Sequence, residues 1–139
     1  MAVFMSNLVG LKVATIDLSD HVTSVTLNRT FDELEITAMG DLGHKYVKGL
    51  EASSITIDFL SDTAAANVNA TLQAAFGTAV TVTMVQTKGT PVSATNPLYT
   101  MTCLVNGLTD VNGAVGDLGT QSVTWNVNGV VTVASTGTF

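Results

Sequence analysis

The sequence predicts a mainly β protein: a β-sandwich or barrel-like domain of six to eight strands with one flanking α-helix. Three observations carry that expectation. Apolar and polar residues alternate with period two over several separate stretches, as they do in strands buried on one face. Val, Thr, Ser, Asn and Gly crowd a chain in which 46% of residues are apolar and only 12% charged, a mixture suited to strands and turns. One stretch, after Asp62, carries the three-and-four spacing of an amphipathic helix instead. The length, 139 residues, fits a single domain over 1–139 with a substantial core.

Taken in order, residues 1–10 are apolar without a pattern and end at Gly10, as in an arm packed on its own domain or on a neighbour. Alternation from Leu11 to Ile16 predicts a first strand, and Asp17 to Asp20 a turn. Val22 to Asn28 predicts a second strand with Val25 and Leu27 on one face. Thr30 and Glu33 have the spelling of a capping box, but the alternation that follows is that of a strand, Glu33 to Thr37, with Leu34 and Ile36 turned to a core. Ser54 to Phe59 repeats the pattern with Ile55, Ile57 and Phe59 inward. Between these two strands the Gly40–Gly49 segment, GDLGHKYVKG, is a longer loop than a strand connection needs, and Tyr46 and Val47 would be costly decorations on a free monomer.

Asp62 is placed to cap a helix over 63–76, with Ala65, Val68, Leu72, Ala75 and Phe76 on one stripe, Asn67 and Asn69 toward water and Gly77 as the stop. Ala79 to Val85 is a strand, and the segment from Lys88 to Pro97 holds both prolines and belongs outside any sheet. Leu98 to Leu108 resumes a strand with Tyr99, Met101, Cys103 and Val105 on one face, followed by a Gly-rich turn over 110–119. Gln121 to Val127 and Val130 to Ala134 are expected to form a hairpin at Asn128-Gly129, with Val123, Trp125 and Val127 lining the core.

Charge and motif content exclude several functions. Five basic residues are scattered among eleven acidic ones, for a net charge of −6, so no basic stripe exists for gripping nucleic acid. Cys103 is alone, which excludes an intrachain disulfide and a cysteine-based metal site. The N-terminal stretch lacks the features of a signal peptide and no apolar run is long enough for a membrane span, so a soluble protein made in a reducing cytoplasm is expected. Ser19-Asp20-His21 has the letters of a catalytic triad, but sequence neighbours do not reach that geometry without strain. Two isolated histidines, His21 and His44, make no zinc site, and Asp110, Asn112 and Asp117 lack the terminal bidentate Glu of a calcium loop. Glu33, Glu35 and Asp58 fit the solvated face of a sheet better than a glycosidase pair, since no aromatic platform accompanies them. The glycines at 107, 113, 116 and 119 are turn glycines, without the Lys-Ser/Thr and helix of a phosphate loop. No catalytic residue, cofactor or metal is expected, and the chain is not expected to be an enzyme.

One order of features stands out: an acidic-pair strand at Asp32-Glu33-Leu34-Glu35-Ile36-Thr37, then Met39-Gly40, Gly49-Leu50, the strand Ser53-Ser54-Ile55-Thr56-Ile57-Asp58-Phe59, and an Ala-rich helix after Asp62. With the C-terminal Ser122-Val123-Thr124-Trp125-Asn126-Val127, this pattern resembles the major tail tube proteins of long non-contractile-tailed bacteriophages. The resemblance implies a structural virion protein that polymerises as stacked hexameric rings, forming the tail conduit through which phage DNA passes without specific binding. It implies assembly in the host cytoplasm, residence in the virion tail, and partners that are further copies, a tape measure, a tail terminator and a tail tip. On that basis Glu33, Glu35, Thr37, Thr56 and Asp58 are expected to face the lumen, and Asp41, Leu42, His44, Lys45, Tyr46, Val47 and Lys48 to lie at the subunit interface. The alternatives are a head decoration protein, a tail-end adaptor or an inner tube like that of type VI secretion. A small carbohydrate- or ligand-binding β-domain with an aromatic-lined pocket is a reading of another class.

Overall fold

In the computed structural model, which describes residues 8–139, ten strands fall into three sheets and one helix flanks them; most of the arm expected over 1–10 lies outside the described residues, and its last residue, Gly10, opens the first strand. The first sheet has the order β10-β8-β7-β1-β2, made of Thr132–Ala134, Leu98–Leu104, Ala79–Val85, Gly10–Val13 and Ile16–Asp17. The second, β3-β6-β9, is built from Val22–Asn28, Ser54–Leu60 and Thr120–Asn126. The third is a two-stranded ribbon of β4 (Phe31–Glu35) and β5 (Tyr46–Glu51). All pairings are antiparallel.

The first two sheets form a sandwich because each alternates, and their apolar faces meet. Leu11, Val13, Val82, Met84, Met101 and Cys103 come from one sheet and Ile55, Ile57, Phe59, Val123 and Trp125 from the other, all buried. Trp125 is fully buried and its indole N–H donates to the Gly107 carbonyl (3.2 Å), so the ring leaves no orphan donor in the core. Burial pushes the Cys103 thiol up to about 11, leaving it a packing residue rather than a nucleophile.

Helix α1 (Val68–Ala75) closes one end with Val68, Thr71, Leu72 and Ala75 buried. It starts later than the spacing predicts because Ala66 sits in the left-handed region (φ 63), which ends any helix begun at 63. Ala65 and Phe76 are therefore exposed rather than part of the buried stripe. Asp62 does not cap α1. Its carboxylate accepts from the Ala64 N–H (2.9 Å) and the Asn67 amide (2.8 Å) and lies 2.8 Å from His21 Nε2. Asn69 turns inward instead of toward water: its Oδ1 accepts from the Asp62 N–H and from Gln121 Nε2, which is buried.

Three further expectations are corrected. The first strand breaks into β1 and β2 at a tight turn where Ala14 has φ 56. The strand expected to reach Leu108 ends at Leu104, where Val105 turns to bond Thr78 and Gly77. Asn128-Gly129 is not a hairpin turn: β9 pairs with β6 while β10 pairs with β8, so the turn carries the chain from one sheet to the other. Val127 is only partly buried against the core, and its backbone makes an isolated antiparallel bridge to Cys103. By contrast, Ala79–Val85 is a strand with the predicted bounds, and the proline segment lies outside the sheets, its buried Asn96 tying Thr87 and Thr90 together.

The sharpest correction concerns Leu34 and Ile36, predicted to face a core and in fact 54% and 53% exposed. In the dissociated subunit, Trp125→Ala should cost about 3–5 kcal/mol in urea unfolding, whereas Leu34→Ala should stay within about 0.5 kcal/mol.

Candidate subunit interface

The ribbon is the outer half of one long hairpin. β3 runs into β4 through Arg29 and Thr30, and β5 runs into β6 through Ala52 and Ser53, with the ladder carried across the join by Ala52 N–H to Thr30 O (2.8 Å) and Thr30 Oγ1 to Ala52 O (2.6 Å). Ser53 is buried in step with Ile55, Ile57 and Phe59. The core-facing side of β6 thus continues, residue by residue, into Val47 and its partner Leu34. Over β6 that side meets the opposite sheet. Over the ribbon beyond Glu51 it meets nothing among the described residues, so Leu34 and Val47 are exposed on that face. The loop predicted over Gly40–Gly49 is in part this strand: Tyr46, Val47, Lys48 and Gly49 belong to β5, and the turn occupies 36–45.

Apolar side chains lie exposed on both sides of the ribbon, Leu34 and Val47 on one and Tyr46 on the other, with Phe31, Leu50 and the fully exposed Met39 and Leu42 beyond them. A two-stranded ribbon is marginal alone in water. Polar contacts hold this one in shape. Asp41 accepts from the Ala38 N–H (2.8 Å) and pairs with Lys45 (2.8 Å), Thr37 Oγ1 donates to Glu35 and accepts from the Lys45 N–H, His44 bonds Glu35, and Lys48 lies 4.0 Å from the Phe31 ring centroid. At the base, the Val131 N–H donates to Glu51 Oε2 (2.7 Å), fastening the ribbon to the body. The predicted interface residues Asp41, Leu42, His44, Lys45, Tyr46, Val47 and Lys48 are thus brought together on one projecting element.

The predicted lumen residues divide between two sheets. Thr56 and Asp58 lie on β6; Glu33 and Glu35 lie on β4, with Thr37 just beyond it. Alternation through the long hairpin still gives Glu33 and Glu35, opposite Lys48 and Tyr46, the side that Thr56 and Asp58 occupy further down. Glu33 faces Lys48, so this end is less acidic than the sequence suggests, and Glu35 bonds His44. On the β3-β6-β9 sheet the outward side chains form three cross-strand rows: Ser24, Asp58, Ser122; Thr26, Thr56, Thr124; and Asn28, Ser54, Asn126. The sequence did not reveal this carpet, because only the register shows which short polar side chains share a row.

The other candidate chemistries find different roles. Ser19–His21 is a 3-10 turn in which Ser19 Oγ donates to Asp17 and His21 meets Asp62. Among the described residues no group of His, Cys, Asp and Glu is placed to hold a metal ion, and no helix is long and apolar enough to cross a membrane. An open depression of about 270 Å³ beside α1 is lined by Ala14, Ile16, Ala66, Ala70 and Ala74 with Val80, Ala75 and two threonines, and has no aromatic wall.

Neither a protein-family model nor a curated protein sequence matches the chain. Solved structures do. A chain of the virion of a native gene transfer agent particle matches with TM-score 0.76 at 8% identity, covering 95% of this chain and 99% of the other. The sheath/tube terminator structure of an extracellular contractile injection system, in its extended state, matches with TM-score 0.73 at 13% identity, over 96% and 97%. The tail of an empty gene transfer agent particle, refined with C6 symmetry, matches with TM-score 0.65 at 10% identity, over 94% and 98%. The chain has the fold of these tail-particle chains, and the likeness spans contractile systems, so it does not single out the non-contractile tail family.

The Lys45 ammonium, with the Ala38 N–H, holds the Asp41 carboxyl below its ordinary value of 3.8. The tip contact is therefore complete above that value and is lost as pH falls through the depressed one. In a carboxyl NMR titration, Lys45→Ala should move the Asp41 midpoint upward.

Proposed function

We propose that this chain is a structural subunit of a phage-like tail tube, built by stacking closed rings of identical copies, and that it has no catalytic role. The observation that carries this reading is the ribbon: a fixed, projecting element with apolar side chains on both faces, which a soluble monomer has no use for. The end-to-end likeness to tail-particle chains supports it. The β3 strand adds to it, since it has no Lys, Pro or inward charge of the kind that protects a sheet edge.

On this reading the ribbon contacts neighbouring copies, and the Ser/Thr/Asn carpet with Asp58 lines the bore, continued by Glu33, Glu35 and Thr37. With the sixfold symmetry reported for the gene transfer agent tail, three to four strands per copy at ~4.8 Å spacing and ~40° tilt give a backbone circumference of about 113–150 Å and a diameter of about 36–48 Å. A double helix fits once side chains are subtracted. Short hydroxyls and a weak negative charge give phosphate little to hold, so DNA slides. The partners are further copies, with tape measure, terminator and tip proteins at the ends of the tube, and the location is the virion tail after assembly in the host cytoplasm. The terminator match favours a second reading, a tail-end ring that does not stack.

Negative-stain microscopy of the purified protein separates the two, since the first gives tubes of constant bore and the second single rings. Deleting residues 41–48 should leave a folded subunit that forms no tubes, and tubes that persist would overturn the interface role. Changing Glu33 and Glu35 together to Lys should leave tubes intact but slow genome delivery; unaltered infectivity would count against the lumenal placement.

A further inference from the structure

The outer edge of β9 is accompanied rather than open. Between Val105 and Asn112 the chain forms no strand, yet three contacts tie it to β9 in order: Trp125 Nε1 to Gly107 O (3.2 Å), Thr109 Oγ1 to Ser122 O (3.1 Å) and Thr120 N–H to Asn112 O (3.4 Å). Each step forward on one segment is a step back on the other, which is the register of an antiparallel pair. Asn112 Nδ2 also donates to Thr120 Oγ1 (3.2 Å), and Leu108 packs against the core. Two of the three ties use side chains where a ladder would use backbone groups.

We propose that residues 107–112 are a latent fourth strand of the β3-β6-β9 sheet, which completes its ladder only when the β3 edge of a second copy pairs with its far side. The inference rests on the assembly reading above. Strand direction selects that occupant. β3 and β9 are both antiparallel to β6 and so run the same way. A ring joining β9 directly to the next copy's β3 would need a parallel seam, whereas a strand antiparallel to β9 makes every pairing in the ring antiparallel, the slightly more stable kind. Among the described residues β3 pairs only with β6, and its edge carries no charge and no proline. In an antiparallel ladder a residue's N–H and C=O point to the same side, and Asn112 O points to β9. Those of Val111 and Thr109 therefore point to the incoming strand.

Hydrogen exchange of the dissociated subunit and of assembled particles tests this. Amides of Thr109 and Val111 should exchange in the fast phase in the subunit and lose that phase on assembly. Val111→Pro, at an exposed position, should leave the subunit folded by circular dichroism and abolish assembly. Cysteine at Thr109 or Val111, combined with cysteine at Ser24, Thr26 or Asn28, should cross-link copies in an antiparallel pattern, a step of two along β3 matched by a step of two back along 107–112. Particles that assemble while the segment still exchanges fast, cross-links in a parallel pattern, or cross-links from β9 to β3 overturn the proposal and leave the tube reading standing. A chain that forms no particle under any condition overturns both.

Discussion

Everything specific to this molecule follows from one mismatch of length: the hairpin that supplies the middle of the smaller sheet is longer than the sandwich it belongs to. From Val22 to Leu60 one antiparallel ladder, with a bulge between Phe31 and Glu33, continues through the join at Thr30 and Ala52, but among the described residues the apolar face beyond that join has no opposing sheet. The same rule that buries Ile55 and Ile57 therefore exposes Leu34 and Val47. Burying a large aliphatic side chain is worth roughly 1.5–3 kcal/mol, and on the ribbon of the isolated subunit that stabilisation is absent.

This explains what could and could not be read from the sequence. Period two identifies which residues share a face, and it did so for β6 and for β7 (Ala79–Val85). It carries no information about whether anything lies beneath that face. Local signals failed where a distant partner competed. Asn128-Gly129 has the chemistry of a two-residue turn, but β9 gains more by pairing with β6, and β10 finds β8. Asn69, polar and apparently on the wet side of α1, is drawn inward by the buried Gln121, a partner on another element that spacing along the helix does not disclose.

The candidate interface was legible as an anomaly, an overlong segment with aromatic and apolar residues, although four of its ten residues, Tyr46 to Gly49, are strand. The polar face was legible only as composition. Its three rows depend on the registers of two ladders, and the pairing of Glu35 with His44 and the facing of Glu33 by Lys48 depend on a bulge between Phe31 and Glu33. That bulge shifts the parity of β4 and gives the two carboxylates the side they occupy.

The long hairpin also sets an order in time. Its two arms are contiguous in the chain and can pair as soon as both have been synthesised, whereas β1 waits for β7 and β6 waits for β9, which come much later in the sequence. A nascent chain leaving the ribosome thus carries a sticky arm before it has a body. Apolar surface exposed in this way before the core forms is prone to aggregate.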